Sequence, residues 1–202
     1  MVTRLNHVVT KISWGGHHTS IITEDGDIFH ADYVILALPL GVLKAKHSEL
    51  FDPPLPQYKA EIIASLGFGL MDKIFLEFEE PFWDVENPGI QLVMTDVADD
   101  ATEEETWQNN IAGFDSVCGQ PRVLCGWVCG DSARAMESLS EEEVLQTCWK
   151  LLMKYVGDTV PRPIHCTVSR WGSNNLFRGT YHQKLLLESK PLSYFETTRQ
   201  PL

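Results

Sequence analysis

The sequence predicts an α+β fold in which a mixed β-sheet is flanked by helices. Three observations predict it. Short β-branched or alternating segments recur along the chain, one amphipathic helix with clear ends lies near residues 140–155, and Gly or Pro separates most segments. Of the 202 residues, 44% are hydrophobic, which suffices for one good core or for one domain with parts of another.

The first part of the chain is predicted to be a run of short strands. Compact β-branched segments predict strands at 7–12 and 19–23, and residues 24–27 (Glu-Asp-Gly-Asp) predict a hairpin turn because Gly tolerates positive φ. Residues 33–38 (Tyr-Val-Ile-Leu-Ala-Leu) form a continuous apolar run. Such a run predicts a strand buried on both faces, here ended by Pro39.

The middle of the chain combines a helix with alternating strands. Pro56 and the apolar residues at helical spacing after it predict a helix over 56–66. Residues 73–78 alternate, so three apolar side chains share one predicted face: Ile74, Leu76 and Phe78. Further predicted segments are strands at 91–95 and 123–128 and a solvated acidic loop at 96–105.

The clearest helix is predicted over residues 140–155. Ser140 and Glu143 form an S-x-x-E capping box at its start, and an apolar stripe follows at helical spacing. Gly157 is a typical stop. Residues 167–171 are then predicted to form a strand that runs into a loop.

Composition excludes several classes of function. The net charge of −12 disfavours binding to nucleic acid and favours a cationic ligand, although acidity also simply aids solubility. Five cysteines without a C-x-x-C motif predict neither a zinc site nor a disulfide framework, but reduced thiols in a cytoplasmic protein. No apolar run approaches the roughly 20 residues of a membrane helix, so no membrane partner is predicted. His17 and His18 lack partners at ligand spacing and are predicted to be surface residues, so no metal site is predicted.

Five segments between residues 5 and 181 carry motifs. They are L-N-H-V-V-T-K-I at 5–12, E-D-G-D-I-F-H-A-D-Y-V-I-L-A-L-P-L-G-V-L at 24–43, F-D-P-P at 51–54, K-I-F-L-E-F-E-E-P-F-W at 73–83 and R-W-G-S-N-N-L-F-R-G-T-Y at 170–181. In order and approximate spacing these motifs resemble the flavin-containing polyamine oxidases. The segment at 73–83 most resembles the animal spermine oxidase and acetylpolyamine oxidase branch.

The resemblance implies roles for a few residues. Lys73 matches the lysine that holds a water against flavin N5, whereas a lysine at the start of a strand ordinarily extends its ammonium into water. Trp171 matches the aromatic that lies against the flavin ring, and Tyr181 matches a wall of the cage around the amine; the alternative for both is core packing. Val9 matches a residue whose backbone binds the adenine part of FAD. A segment near the cofactor is matched by Leu38, Pro39 and Leu40.

The resemblance also implies a reaction and a domain arrangement. A polyamine, either spermine or an acetylated polyamine, is oxidised by hydride transfer to FAD, and molecular oxygen reoxidises the flavin to give hydrogen peroxide and an aminoaldehyde. The implied domains are a partial FAD-binding domain at 1–48, a substrate-binding domain at 49–170, a return to the FAD-binding domain at 171–181 and a divergent tail at 182–202.

One hallmark of a flavin enzyme of this kind is missing from the sequence. There is no G-x-G-x-x-G turn for the pyrophosphate, since Gly67-Phe68-Gly69 fails the pattern and precedes a strand. We therefore expect low flavin affinity. Because the sequence after Tyr181 also departs from the family pattern, we expect a truncated product, an alternative transcript or an imperfect gene model. Two alternatives stay open: an inactive fragment that acts only as a binding module, and a related oxidase of monoamines or methylated lysine.

Overall fold

The computed structural model describes residues 2–84, 86, 89–93 and 106–183. They form two compact units. The first unit contains residues 2–68 and 182–183, and the second contains residues 69–181. The α+β class is confirmed. The predicted domain boundary at 48/49 lies within a helix, whereas the units divide at 68/69 and 181/182; the functional domains therefore stay a prediction.

The first unit is built on a four-stranded mixed sheet. In chain order its elements are β1 (Val9–Ser13), β2 (Thr19–Thr23), β3 (Ile28–Ala31), α1 (Leu40–Leu50), β4 (Phe51–Asp52), α2 (Gln57–Ser65), β5 (Gly67–Phe68) and β11 (His182–Gln183). The strand order is β3-β2-β1-β4, with β1 and β4 parallel, and β5 pairs with β11. The predicted hairpin turn at 24–27 is confirmed, with Gly26 at φ +87°.

The predicted buried strand at residues 33–38 is wrong. Residues 33–39 have no regular secondary structure, and Tyr33 and Ile35 are 93% and 96% exposed. A strand buried on both faces needs hydrogen-bonded neighbours and a cover on each face. The described sheet of this unit has β3 and β4 as its edge strands, and the segment at 33–38 pairs with neither of them. Helix α1, which begins at Leu40 directly after Pro39, was not predicted.

The second unit is built on a five-stranded antiparallel sheet. Its elements are β6 (Met71–Glu77), β7 (Gly89–Gln91), a 3₁₀ helix (Trp107–Asn110), β8 (Gly113–Val117), β9 (Gln120–Cys129), α3 (Gly130–Glu137), α4 (Glu141–Val156) and β10 (His165–Val168). The strand order is β10-β6-β9-β8-β7. Strand β6 therefore lies inside the sheet, hydrogen-bonded on both edges.

One face of this sheet carries the core of the second unit. Ile74, Leu76 and Phe78 are 0% exposed, as their alternation predicted, and they share one buried cluster with residues of α3 and α4. Deleting one such side chain typically costs 2–5 kcal/mol, because the transfer free energy is lost and a cavity remains. This packed face holds β6 in place, and every second residue of β6 is consequently directed to the other face.

The remaining predictions of secondary structure vary in outcome. Helix 56–66 is confirmed as α2, with Pro56 immediately before it, and helix 140–155 is confirmed as α4. The capping box of α4 is formed in both directions, and Gly157 follows the helix at φ +132°. The predicted strand at 123–128 lies within β9, and the one at 167–171 overlaps β10 only at residues 167–168. The predicted strand at 91–95 overlaps β7 at residue 91, residues 92–93 have no regular secondary structure, and residues 94–95 lie outside the described residues. The predicted loop at 96–105 and residues 184–202 of the predicted tail lie outside the described residues.

Candidate active site

Lys73 lies in the first half of β6, on the face opposite the core. Its neighbours Asp72 and Ile74 are buried, whereas Lys73 itself is half-buried, as the period of two along a strand requires. Across the strand pair its partner on β9 is Trp127. A central strand between β9 and β10 fixes the backbone of Lys73, so that only the side chain is free to move.

The Lys73 ammonium belongs to a row of three side chains on adjacent strands. Its Nζ lies 4.5 Å from the centroid of the Trp127 ring, within the range of a cation–π contact. The Trp127 Nε1–H donates a hydrogen bond of 2.9 Å to Asp115 Oδ2 on β8. The hydrogen bond to Asp115 fixes the orientation of the indole, and the Lys73 ammonium lies over the face of that ring. A contact with a ring face does not use a directed hydrogen bond from the ammonium.

Cys125 lies beside this row and is not suited to act as a nucleophile. Burial raises the pKa of its thiol to about 11, although the nearby Lys73 ammonium opposes the shift. Reactive cysteines have a lowered pKa and an electropositive, accessible setting. At neutral pH this thiol therefore stays protonated.

Lys73 and Trp171 are joined through a single buried carboxylate oxygen. The Lys73 backbone N–H donates to Ser169 Oγ (2.7 Å), which in turn donates to Asp72 Oδ1 (2.8 Å). The backbone N–H of Trp171 donates to the same Asp72 oxygen (3.1 Å). The structure thus brings together two residues that are far apart in the sequence and that the family resemblance had selected separately.

The Trp171 ring is half-buried and packs against Phe177. The two ring centroids are 4.7 Å apart in an edge-to-face arrangement. The Trp171 carbonyl accepts a hydrogen bond from the Gly179 N–H (3.0 Å), which closes the turn between them. Trp171 therefore presents one face of a small, braced aromatic pair.

Tyr181 is anchored by its backbone beside the start of β6. Its carbonyl accepts from the Gly69 N–H (2.8 Å), and the neighbouring Thr180 hydroxyl accepts from the Met71 N–H (2.8 Å). The Tyr181 side chain is 56% exposed. Because Phe177 is the ring against Trp171, a cage formed by Trp171 and Tyr181 stays a prediction.

Val9 lies in the first unit, in β1. Its Cα is paired with Thr23 of β2, and its side chain packs partly against the cluster of Ile12, Leu50 and Phe51. Leu38 packs partly against the same cluster, while Pro39 and Leu40 start helix α1. The predicted contact of the Val9 backbone with the adenine of FAD stays a prediction.

The histidines form exposed polar contacts. His18 Nδ1 lies 2.9 Å from Asp32 Oδ1, both side chains being mostly exposed. Elsewhere in the described residues, three ligand-type side chains come within 4.8 Å of one another: His7, Asp25 and Asp27. The two aspartates are exposed turn residues, and His7 is already paired with Asp27 at 3.3 Å.

Sequence reasoning missed the residues that position Lys73 and Trp171. Trp127 and Asp115 become neighbours of Lys73 only through strand pairing, which no local pattern reports. Asp72 had a signal that went unused: it occupies a core-facing position of the alternating strand, two residues before Ile74. A carboxylate on an apolar face is rare unless it is hydrogen-bonded, and so it marks a site.

Among the helices that the structure describes, none is long and apolar enough to cross a membrane.

Comparison with known proteins gives concordant matches. The family model of flavin-containing amine oxidoreductases matches residues 2–193, and thus extends past Tyr181 into the segment predicted to be divergent. The human peroxisomal N(1)-acetyl-spermine/spermidine oxidase is 43% identical over 169 residues, which are 80% of this chain and 33% of that protein. The chain therefore spans about a third of the length of this curated relative.

Two further matches widen the range of substrates among the relatives. Histone demethylase-like protein A of Aspergillus fumigatus is 36% identical over 192 residues, covering 88% of this chain and 17% of that protein. A putrescine oxidase solved with putrescine bound superimposes with a TM-score of 0.60 at 22% identity, covering 87% of this chain and 36% of that structure. At that identity the structural match supports the fold alone.

Proposed function

Because the chain belongs to the flavin-containing amine oxidoreductase family, we propose that it supplies the lysine and aromatic side of a polyamine-oxidising site. The observation that carries the proposal is the shared anchoring of Lys73 and Trp171 on Asp72. Catalytic groups act only when they are held in a fixed relation to one another. The shared carboxylate supports the proposal because it fixes the backbones of these two residues relative to each other.

FAD is the cofactor that the family implies, and the described residues fit one side of it. The half-buried Trp171 offers an aromatic face, and Lys73 offers a cation on a central strand, above the face of Trp127. The other side is not matched, since the sequence has no G-x-G-x-x-G turn for the pyrophosphate. When bound, the flavin supplies the hydride acceptor and the reaction with oxygen.

The task proposed for Lys73 is to orient a water molecule. Its ammonium has three donors, and the contact with the Trp127 face uses none of them in a directed hydrogen bond. A compact cation on a short row of supporting side chains can therefore donate to water and stabilise negative charge beside it. Asp115 helps through Trp127, because it fixes the ring over which the ammonium lies.

The proposed substrate is a polyamine. Aromatic faces such as those of Trp171 and Phe177 exclude water and attract an amine that stays charged. The net charge of −12 favours the approach of a polycation by long-range attraction, which salt would weaken. The similarity to the human N(1)-acetyl-spermine/spermidine oxidase supports the same substrate class, with oxygen as the second substrate.

A second candidate is oxidation of methylated lysine. The observation that favours it is the 36% identity to histone demethylase-like protein A. Both reactions take a hydride from a carbon next to nitrogen, so the Lys73 and Trp171 arrangement serves either. The two candidates differ in the substrate that yields product and can be compared in a single assay.

The experiment is a peroxide assay of the 202-residue chain at FAD concentrations that saturate binding. Spermine, N1-acetylspermine, benzylamine and a dimethyl-lysine peptide are compared at equal concentration, with Trp171→Ala as the inactive control. The proposal expects peroxide with the polyamines only. Peroxide with the methylated peptide alone would establish the second candidate, and no peroxide with any amine despite bound FAD would contradict both.

A further inference from the structure

One oxygen of the buried Asp72 side chain has no hydrogen-bond partner among the described residues when the group is ionised. The residue is 0% exposed, and its Oδ1 accepts from Ser169 Oγ and from the Trp171 N–H. No hydrogen bond reaches its Oδ2 among the described residues. A buried charged oxygen without a hydrogen-bond partner is costly, because the hydration it loses on folding is not replaced, so this atom requires an explanation.

Glu137, at the end of α3, is the neighbouring carboxylate. Its two oxygens accept the backbone N–H groups of Gly172 (2.6 Å) and Ser173 (2.7 Å). A Cβ at Gly172 would lie 2.8 Å from the Leu70 side chain and 3.1 Å from Glu137 Oε1. A side chain at this position would therefore require the Leu70 and Glu137 side chains to shift. Asp72 and Glu137 together bind three consecutive backbone amides, those of residues 171–173.

The chemistry of the pair assigns it one proton below neutral pH. Burial raises the pKa of Asp72 to about 6; hydrogen bonds from Trp171 and Ser169 oppose the shift, and the Glu137 carboxyl adds to it. Both Glu137 oxygens already accept hydrogen bonds from backbone N–H groups, whereas Asp72 Oδ2 accepts none. The proton is therefore placed on Asp72 Oδ2, from which it can be donated to a Glu137 oxygen. As an O–H it donates to Glu137, and the orphaned oxygen is satisfied.

Among the described residues, no cation takes the place of that proton. Arg170 is the charged residue of the loop, and its guanidinium donates to the carbonyl oxygens of Glu137 and Leu139, not to either carboxylate. Lys73 leaves β6 on the opposite face, over Trp127. Neither Arg170 nor Lys73 therefore neutralises the pair, and two adjacent carboxylates without a cation repel each other.

We propose that Asp72 and Glu137 are positioning residues that share one proton and together clamp the 169–173 loop, so that Trp171 is held in register with Lys73. The clamp is tight while the proton is present and loosens when it is lost. It rests on the proposed function only for the role of Trp171; the clamp itself is a property of this chain.

The pH dependence follows from the direction of the shift. The pKa of Asp72 in the folded chain, about 6, lies above the ordinary value of 3.8. Its contribution to stability is therefore fully present below the ordinary pKa and is lost as the pH rises through about 6. The clamp is accordingly tighter at pH 5 than at pH 8.

The test uses backbone amide signals of the ¹⁵N-labelled chain, with no flavin or amine present. In the wild type we expect the Trp171, Gly172 and Ser173 amide shifts to titrate with a midpoint near 6 and their hydrogen-exchange protection to fall above it. Asp72→Asn keeps the acceptor and supplies a permanent N–H donor to Glu137. It should abolish the titration and keep protection at pH 8 at the wild-type pH 5 level.

Glu137→Gln is the discriminating counterpart. Its amide would place an N–H₂ group against the N–H of Gly172 or Ser173, so protection should fall at least tenfold at both pH values. Asp131→Asn, at an 84% exposed position of the same helix, is the matched control and should behave as the wild type. Amide shifts that do not titrate, or that titrate unchanged in Asp72→Asn, would overturn the clamp. If Glu137→Gln does not fold, the Asp72→Asn comparison still decides.

The amide titration and the peroxide assay test different proposals and can give opposite results. A clamp that titrates as expected in a chain that oxidises no amine would refute the proposed function alone. A chain that oxidises polyamines with flat amide shifts would refute the clamp alone.

Discussion

The two compact units of this chain bury their apolar residues to very different extents. In the second unit a large cluster of buried residues extends from Leu70 to Val168 and joins the sheet to the buried residues of α3 and α4. In the first unit the described cluster consists of Ile12, Leu50 and Phe51 with partly buried neighbours. Large apolar side chains such as Tyr33 and Ile35 are exposed there.

The difference between the two cores indicates which of the candidate site residues are held rigidly. Lys73 lies in β6, the Trp171 N–H donates to Asp72 of the same strand, and the Tyr181 carbonyl accepts from Gly69 just before it, all within the well-packed unit. Val9 belongs to the unit with the small core. Because a site must be held to a fraction of an ångström, the residues proposed for the substrate side are the ones held by the larger core.

The largest expected effect separates the two cores. Phe114→Ala removes a fully buried ring that packs over Gly126, and we expect a loss of about 3–5 kcal/mol in the free energy of unfolding. Leu50→Ala, in the small cluster, should cost about 2 kcal/mol, because its partly buried neighbours can relax. Urea unfolding with hydrogen exchange measures each unit. Equal losses would contradict the difference between the cores.

A smaller effect tests the helix that covers the second core. Ser140→Ala removes the acceptor for the Glu143 N–H and should cost about 1 kcal/mol. Ser140→Asp keeps an acceptor at that position and should restore most of the loss. Thermal unfolding followed by circular dichroism provides the measurement. If both variants lose the same amount, the capping box does not stabilise α4.

The smallest effect concerns the exposed apolar segment of the first unit. Ile35→Ser should change the free energy of unfolding by no more than about 0.5 kcal/mol, since the side chain is 96% exposed. The matched change Ile12→Ser, at a position 4% exposed, should cost several times more. A loss above about 1 kcal/mol for Ile35→Ser would mean that the segment is buried in solution.

Local patterns accounted for much of the second unit. The alternation around Ile74, the S-x-x-E box at Ser140 and the glycine stop at 157 depend on neighbours within one or two turns, and all three are confirmed. The segment at 33–38 failed for a complementary reason. Its apolar run indicates a preference for burial, but a buried strand needs neighbouring strands and covering side chains. None of the described strands of the first unit pairs with this segment.

The candidate site was only partly accessible to sequence reasoning. Lys73 and Trp171 were selected through the family resemblance, while Trp127 and Asp115 depend on the register of β9 and β8. Glu137 approaches the Trp171 loop from α3, across 35 residues of sequence. Such long-range pairing follows from packing, which no single segment encodes.

The most direct test of the central claim, that Lys73 serves amine oxidation, is stopped-flow spectroscopy of the FAD-saturated protein. We compare Lys73→Met with Lys150→Met, a change of the same chemistry at an exposed position of α4. Lys73→Met should slow flavin reduction by spermine or its reoxidation by oxygen by about 100-fold, the lower end of what a positioned proton-transfer group contributes. Lys150→Met should match the wild type. Unchanged rates in Lys73→Met would remove Lys73 from the proposed role.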